Sequence, residues 1–316
     1  MARYRNDLPQ LSGDYFLVDA GMETDLIFNH GINIPEFASH TLLPNDFTRE
    51  KIQTYFKEFL DLANSFEVGF IMDAPTWKAH SHWKNDLQCT DEDLIKANKD
   101  AVWLISELRK LAKNSKPVVL NGITGPCGDA YTPESIISVE QAEKYHHGQL
   151  SWLADTDVDM VSALTFTQST EAAGYARAAA SLGLPSVISF TVETNGQLPS
   201  GQSIKDAVQF VDDNSAEAPA YFMINCAHPD HFSNELENAE WSKRIRGLRC
   251  NASRLSHAEL DACEELDDGD PKELGIQYKQ LVEKLPWINV FGGCCGSDLR
   301  HVREIAQAIV ADVSIT

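Results

Sequence analysis

Eight short apolar runs, each followed by a stretch with helical polar–apolar spacing, limit what this chain can fold into more than any other feature. The runs are YFLVDA ending at Ala20, VGFIMDA from Val68, PVVLNGIT from Pro117 and MVSALTF from Met160. They continue with PSVISFTV from Pro185, AYFMINCA from Ala220, IRGLRCNA from Ile245 and INVFGGCC from Ile288. β-branched and aromatic side chains dominate them, as buried strands require. Between them lie amphipathic stretches such as REKIQTYFKEFLDLANSF from Arg49, DEDLIKANKDAVWLISELRKLAK from Asp91 and SDLRHVREIAQAIVADV from Ser297. Several open on Ser, Thr or Asp in capping position. This alternation predicts an α/β fold, a parallel (β/α)8 TIM barrel. A doubly wound sheet competes, but it would carry a Gly-rich phosphate loop after the first strand, and DAGMETDL holds no GxGxxG. No Pro, Gly or Ser-rich linker divides the 316 residues, and EELDDGDP (Glu264 to Pro271) reads as a solvated loop before a helix. One domain spanning 1–316 is expected.

Charge removes whole classes of partner. Lys and Arg number 26 against 47 Asp and Glu, a formal net charge of −21. Nucleic-acid binding needs clustered basic charge, and anionic membranes select polybasic segments, so neither partner is expected. No apolar run approaches the roughly 18 residues that span a bilayer. MARYRNDLPQ lacks the apolar region of a secretory signal, so a cytoplasmic address is expected. Nothing in the composition argues against self-association. The seven cysteines show no disulfide framework.

In such a barrel the reactive groups gather where strands end, because that face is built from the βα loops. The strand ends carry Asp19, Asp73, Thr124, Thr165, Glu193, Asn225 with Cys226, Asn251, and Cys294 with Cys295. Three cysteines on strands six and eight would share one mouth. Three thiolates with a fourth position open suit a catalytic zinc site, and zinc ionises a thiol placed there. The spacing itself, a Cys 68 residues before a CC pair, matches no standard ligand pattern, and buried thiols fit it too.

VDAGMETDL, MINC at Cys226 and FGGCCG at Cys294–Cys295 together resemble the homocysteine S-methyltransferase family. GITGPCG (Gly122 to Gly128) is similar to the family's S-x-G-P-x-G turn, and CNAS (Cys250 to Ser253) to its P-N-x-G segment. The resemblance runs from about Asp14 to Val310. It implies Zn2+ held by Cys226, Cys294 and Cys295, with Asp19 and Gly21 in the amino-acid pocket and Asn225 supporting the metal. The implied reaction makes methionine from homocysteine, its thiolate taking a methyl group from a cationic donor. A stand-alone barrel of this length implies a sulfonium donor, S-methylmethionine or S-adenosylmethionine, because no residues remain for a cobalamin or folate module. Cation–π contact with Trp77, Trp83 or Phe166 is one way to hold such a donor, although each also fits core packing or a loop anchor.

One departure bears on the acceptor. Where the family carries Glu-Thr at the end of strand four, this chain reads SALTF, leaving Leu164 and Thr165. Leucine cannot pair with an ammonium group, so Glu193 on the strand-five rim is the expected substitute, with a helix cap or rim ion pair as its other reading. Cys127 stands where the family often has Tyr. The same zinc chemistry on another thiol or selenol, or a non-catalytic zinc- or thiol-binding barrel, remain the alternatives. His80 and His82 could bind metal but read as loop polarity, and His228 and His231 could extend the zinc site or sense substrate charge but read as caps of the next helix. Glu23 in GMETDL faces the mouth in principle, but it reads as a first-turn acid complementing a helix N-terminus.

Overall fold

The structure, a computed structural model, describes residues 1–128, 130, 131, 136–263 and 265–310. Eight parallel strands close into a barrel in chain order: β1 (Phe16–Leu17), β2 (Gly69–Ala74), β3 (Val118–Thr124), β4 (Met160–Phe166), β5 (Ser186–Phe190), β6 (Pro219–Asn225), β7 (Ile245–Cys250) and β8 (Val290–Gly293). Closure is made by β8 on β1, with Phe16 opposite Val290. The expected (β/α)8 TIM barrel is therefore the fold. The first strand is shorter than YFLVDA suggested. Beyond Leu17 the chain still follows β8, Val18 N–H donating to Phe291 O at 2.7 Å and Gly293 N–H to Asp19 O at 2.9 Å.

Around the barrel run α1 (Asp46–Ser65), α2 (Asp91–Leu111), α3 (Val139–Ala154), α4 (Ser169–Ser181), α5 (Ile204–Ser215), α6 (Pro271–Lys284) and α7 (Leu299–Val310). Between β6 and β7 the helical position is taken by two short pieces, Pro229–Phe232 and Trp241–Arg244. Polar side chains start the helices as the sequence suggests. Thr90 and Ser138 form reciprocal capping boxes, and Asp270 accepts from the N–H groups of Lys272 and Glu273. Helix α1 begins three residues before Arg49 because Asn45 accepts from the N–H groups of Phe47 and Thr48. The 311–313 end of the stretch from Ser297 and Glu264 of the acidic loop lie outside the described residues.

Strand side chains alternate between two packed regions. Phe16, Ile71, Val119, Met160, Val187, Tyr221 and Val290 pack together inside the barrel. Leu17, Phe70, Leu120, Val161, Ile188, Phe222 and Phe291 pack outward with the helices. Each such burial contributes on the order of 1.5–3 kcal/mol. Leu8 joins the inner cluster and plugs the amino end of the barrel. The plug is tied down where Asn289 donates to the carbonyls of Gln10 and Asp14, at 2.8 and 2.7 Å.

Two outer-ring tyrosines reach the carboxyl ends of the strands. Tyr55 on α1 accepts from Ala20 N–H at 3.0 Å. Tyr278 on α6 accepts from Cys250 N–H and donates to Gly292 O, both at 2.7 Å, linking β7 to β8. Helices α3 and α4 meet at Gly174, where an added Cβ would lie 2.4 Å from Val139 O and 2.5 Å from Ala142 Cβ. No helix among the described residues is long and apolar enough to cross a membrane.

Candidate active site

Above the apolar floor the barrel interior turns polar. Ser162 Oγ donates to Asn121 Oδ1 at 3.0 Å, and Asn121 Nδ2 donates to Asp73 Oδ1 at 2.7 Å. Arg249, the next-to-last residue of β7, donates to Asp73 and, at 2.6 Å, to Asp19 Oδ1. Its Nε–H donates to Gly293 O at 3.2 Å. All three charged residues are buried. Burial lifts the Asp19 carboxyl well above its usual range despite Arg249, with Asp73 and Glu23 adding repulsion. Burial alone would weaken the Arg249 charge, but Asp73 and Asp19 more than offset it and keep the guanidinium protonated.

This network underlies a cavity of about 530 Å³ at the carboxyl end of the strands. That size suits a small-molecule site. Cys226, Cys294 and Cys295 all line it, and their sulfur atoms lie within 4.8 Å of one another. Cys226 and Cys294 form a disulfide across the ends of β6 and β8, with Cα atoms 5.4 Å apart. This pairing was not foreseen from the sequence. Reduction of the bond would leave three thiols converging on one point, a soft donor set that fits zinc.

The backbone is strained where these groups are aimed. Thr165 and Cys226, neighbours at the ends of β4 and β6, have φ of 64° and 53°. A β-branched residue seldom adopts that region, and such strain persists only where surrounding bonds enforce it. Asn225 supplies them. Its Oδ1 accepts from Thr165 N–H at 3.0 Å and Ser189 Oγ at 2.6 Å, and its Nδ2 donates to Thr165 Oγ1 at 2.8 Å. The same Nδ2 lies 3.9 Å from Cys294 Sγ, and Thr165 Oγ1 lies 3.8 Å from Cys226 Sγ.

Asp19, Gly21, Thr165 and Asn225 thus line the same cavity as the cysteines, together with Asp73, Asn251 and Leu164. Gly21 is pressed against the thiol loop, where a Cβ would stand 2.5 Å from Cys294 O. Glu193 does not line the cavity. Its Oε1 is 3.4 Å from Nδ1 of His257, whose Nε2 faces Cys226 O at 2.6 Å, so the rim ion pair is the reading its position supports. Thr124 turns to Ser162 O instead, and Phe166 is buried against His146 and Tyr175. Trp77 and Trp83 do line the cavity, with Lys78 Nζ 4.0 Å above the Trp83 ring. Cys127 donates its N–H to Glu171 Oε1 and lies outside the lining.

The histidines serve the scaffold. His80 Nδ1 accepts from His82 N–H, and burial lowers its pKa to about 4. His228 caps the helix at Pro229 by accepting from Asp230 N–H at 3.2 Å. Sequence reasoning missed Arg249 and His257, and it read Glu23, which lines the cavity, as an acid of a helix N-terminus. Of the first two, Arg249 alone carried a signal, an arginine at the end of an otherwise apolar strand.

The solved structures similar to this chain include three of the homocysteine methyltransferase MmuM from Escherichia coli. The oxidised form is 17% identical, covers 96% of this chain and 99% of its own, and superposes with a TM-score of 0.76. The metallated form is 18% identical over 97% of this chain and 100% of its own, with a TM-score of 0.71. At these identities the likeness shows the fold. No curated protein matches the chain by sequence. The homocysteine S-methyltransferase family model matches residues 16–309, nearly the whole barrel. The chain belongs to the homocysteine S-methyltransferase family.

Proposed function

We propose that the protein, acting as one catalytic barrel over residues 1–316, transfers a methyl group from a sulfonium donor to the sulfur of homocysteine, forming methionine. The observation that carries this reading is the convergence of three cysteine sulfurs on one cavity beside a buried Asp–Arg–Asp cluster. Family membership adds the reaction class. In reduced form Cys226, Cys294 and Cys295 would hold Zn2+, whose Lewis acidity keeps a bound thiol ionised near neutral pH.

The chain's own residues then position the partners. Asn225 and Thr165 fix the sulfur-bearing strand ends through the bonds described above. Asp19, held by Arg249, and Gly21 form the wall beside the thiol loop. Trp77 and Trp83 offer aromatic faces to a sulfonium. In the transfer the acceptor sulfur forms the new S–C bond and the donor S–CH3 bond breaks. The bonding pair stays on the donor, which leaves as a neutral thioether, and the thiol proton goes to solvent. Such a displacement gains most from alignment.

Leu164 in the lining favours one second reading, the same chemistry on a thiol or selenol other than homocysteine. The test is to reduce the protein, load it with zinc, and assay methionine from homocysteine with S-methylmethionine and with S-adenosylmethionine. Stoichiometric zinc and methionine are expected, and Cys295→Ser should lose both. A protein that takes up no zinc after reduction, and forms no methyl thioether, would sink both readings. Zinc uptake with transfer only to other acceptors selects the second.

A further inference from the structure

Glu23 sits in a short helical turn, Met22–Thr24, that follows the Asp19–Gly21 wall, and it lines the cavity. That turn is docked on the thiol loop from two sides. Gly21 abuts Cys294 O, and Gly296 N–H donates to Thr24 Oγ1 at 3.3 Å. Glu23 therefore shares the cavity with the cysteine sulfurs on a turn fixed to their loop.

Among the described residues lining the cavity, Arg249 and Lys78 are the cations, against six carboxylates. Asp19, Asp73 and Glu23 bring three carboxylates, and Arg249 is already engaged by the first two. Glu23 forms no ion pair among the described residues. Burial raises its pKa, opposed first by a hydrogen bond from Ser39. A half-buried carboxylate facing a small-molecule cavity is stabilised by a ligand cation. Leu164, across the same cavity, offers only apolar surface.

From this we infer that Glu23 takes the ammonium group of the acceptor, so that the chain selects a thiol carrying a primary amine a few bonds from its sulfur. Leu164 packs against the acceptor's methylene chain. The inference rests on the proposed methyl transfer and adds to it the residue that sets acceptor choice.

The test compares homocysteine with 4-mercaptobutanoate, which keeps the carboxylate and thiol but lacks the amine. Glu23→Gln should raise the KM for homocysteine by about tenfold, as expected when one partner of a charge pair in a ligand cavity is removed. It should leave kcat/KM for 4-mercaptobutanoate within about twofold, because that acceptor offers no charge to pair. Glu23→Asp should retain the preference for the amine, and Leu164→Glu added to Glu23→Gln should restore it. An unchanged homocysteine KM, or an equal loss on both acceptors, overturns the inference. If wild type transfers no methyl group at all, the proposed function fails by itself. Glu23 is then judged by binding, because Trp77 and Trp83 line the cavity and their fluorescence reports occupancy. Tighter binding of homocysteine than of 4-mercaptobutanoate, abolished in Glu23→Gln, upholds the role, and equal binding removes it.

Discussion

Arg249 is the residue on which the buried charge depends. Its guanidinium bridges Asp19 and Asp73 and pins the Gly293 carbonyl just before the cysteine pair. Replacing it with methionine keeps the volume and strands two carboxylates out of water. Breaking a buried ion pair from one side costs about 3–5 kcal/mol. Arg249→Met should therefore lower unfolding stability by that order in a denaturant titration, while Asp73→Asn, which retains a hydrogen-bond acceptor, should cost less. Equal stability of Arg249→Met and wild type would refute this account. The strand-end cysteines, Asp19 and Asn225 were legible in the sequence because a barrel brings its strand ends together whatever their spacing. Arg249 was not, and Glu23 only as a residue near the mouth, because their meaning depends on which charges face them across the barrel. For Glu193 the sequence left two readings open, pocket or rim ion pair, because a strand end supplies a rim position and His257 decides where the carboxylate turns.

At the scale of elements, Gly174 shows contact overriding propensity. A helix-interior glycine is ordinarily worse than alanine by roughly 1 kcal/mol. Here the missing Cβ lets α4 approach the backbone of α3, within 2.4 Å of where that atom would stand. Gly174→Ala should thus destabilise the protein, by about 1–3 kcal/mol as for other overpacked contacts, with the loss read as a lower thermal midpoint. A stabilised variant would mean that the helices slide apart freely. Strand positions were legible from their apolar runs, and most helix starts from their caps. The short pieces between β6 and β7 and the truncated β1 were not. Beyond Leu17 the backbone bonds go to distant β8. The pieces between β6 and β7 are tied by distant side chains, Lys284 to Ser233 O and Trp287 to Ser242 O, so local pattern carries no record of either.

For the whole molecule, the alternation of eight apolar runs with helical patterns was enough to indicate the barrel, because few architectures accept that order. The net charge of −21 spoke against nucleic-acid and anionic membrane partners but did not locate the site. What the pattern could not show is that the barrel is shut at one end. Leu8 and the inner apolar cluster seal the amino face, leaving the carboxyl-end cavity as the approach to the thiols. Among the described residues the approach to the thiols is from the carboxyl end, and that imposes a sequence of events on the proposed reaction. The acceptor must enter first to reach the sulfurs, the donor then covers it, and the spent donor leaves before the methylated acceptor can. With S-adenosylmethionine, whose two products differ, methionine should inhibit competitively against homocysteine and the demethylated donor should not. Random-order kinetics would mean that a second way in opens during turnover.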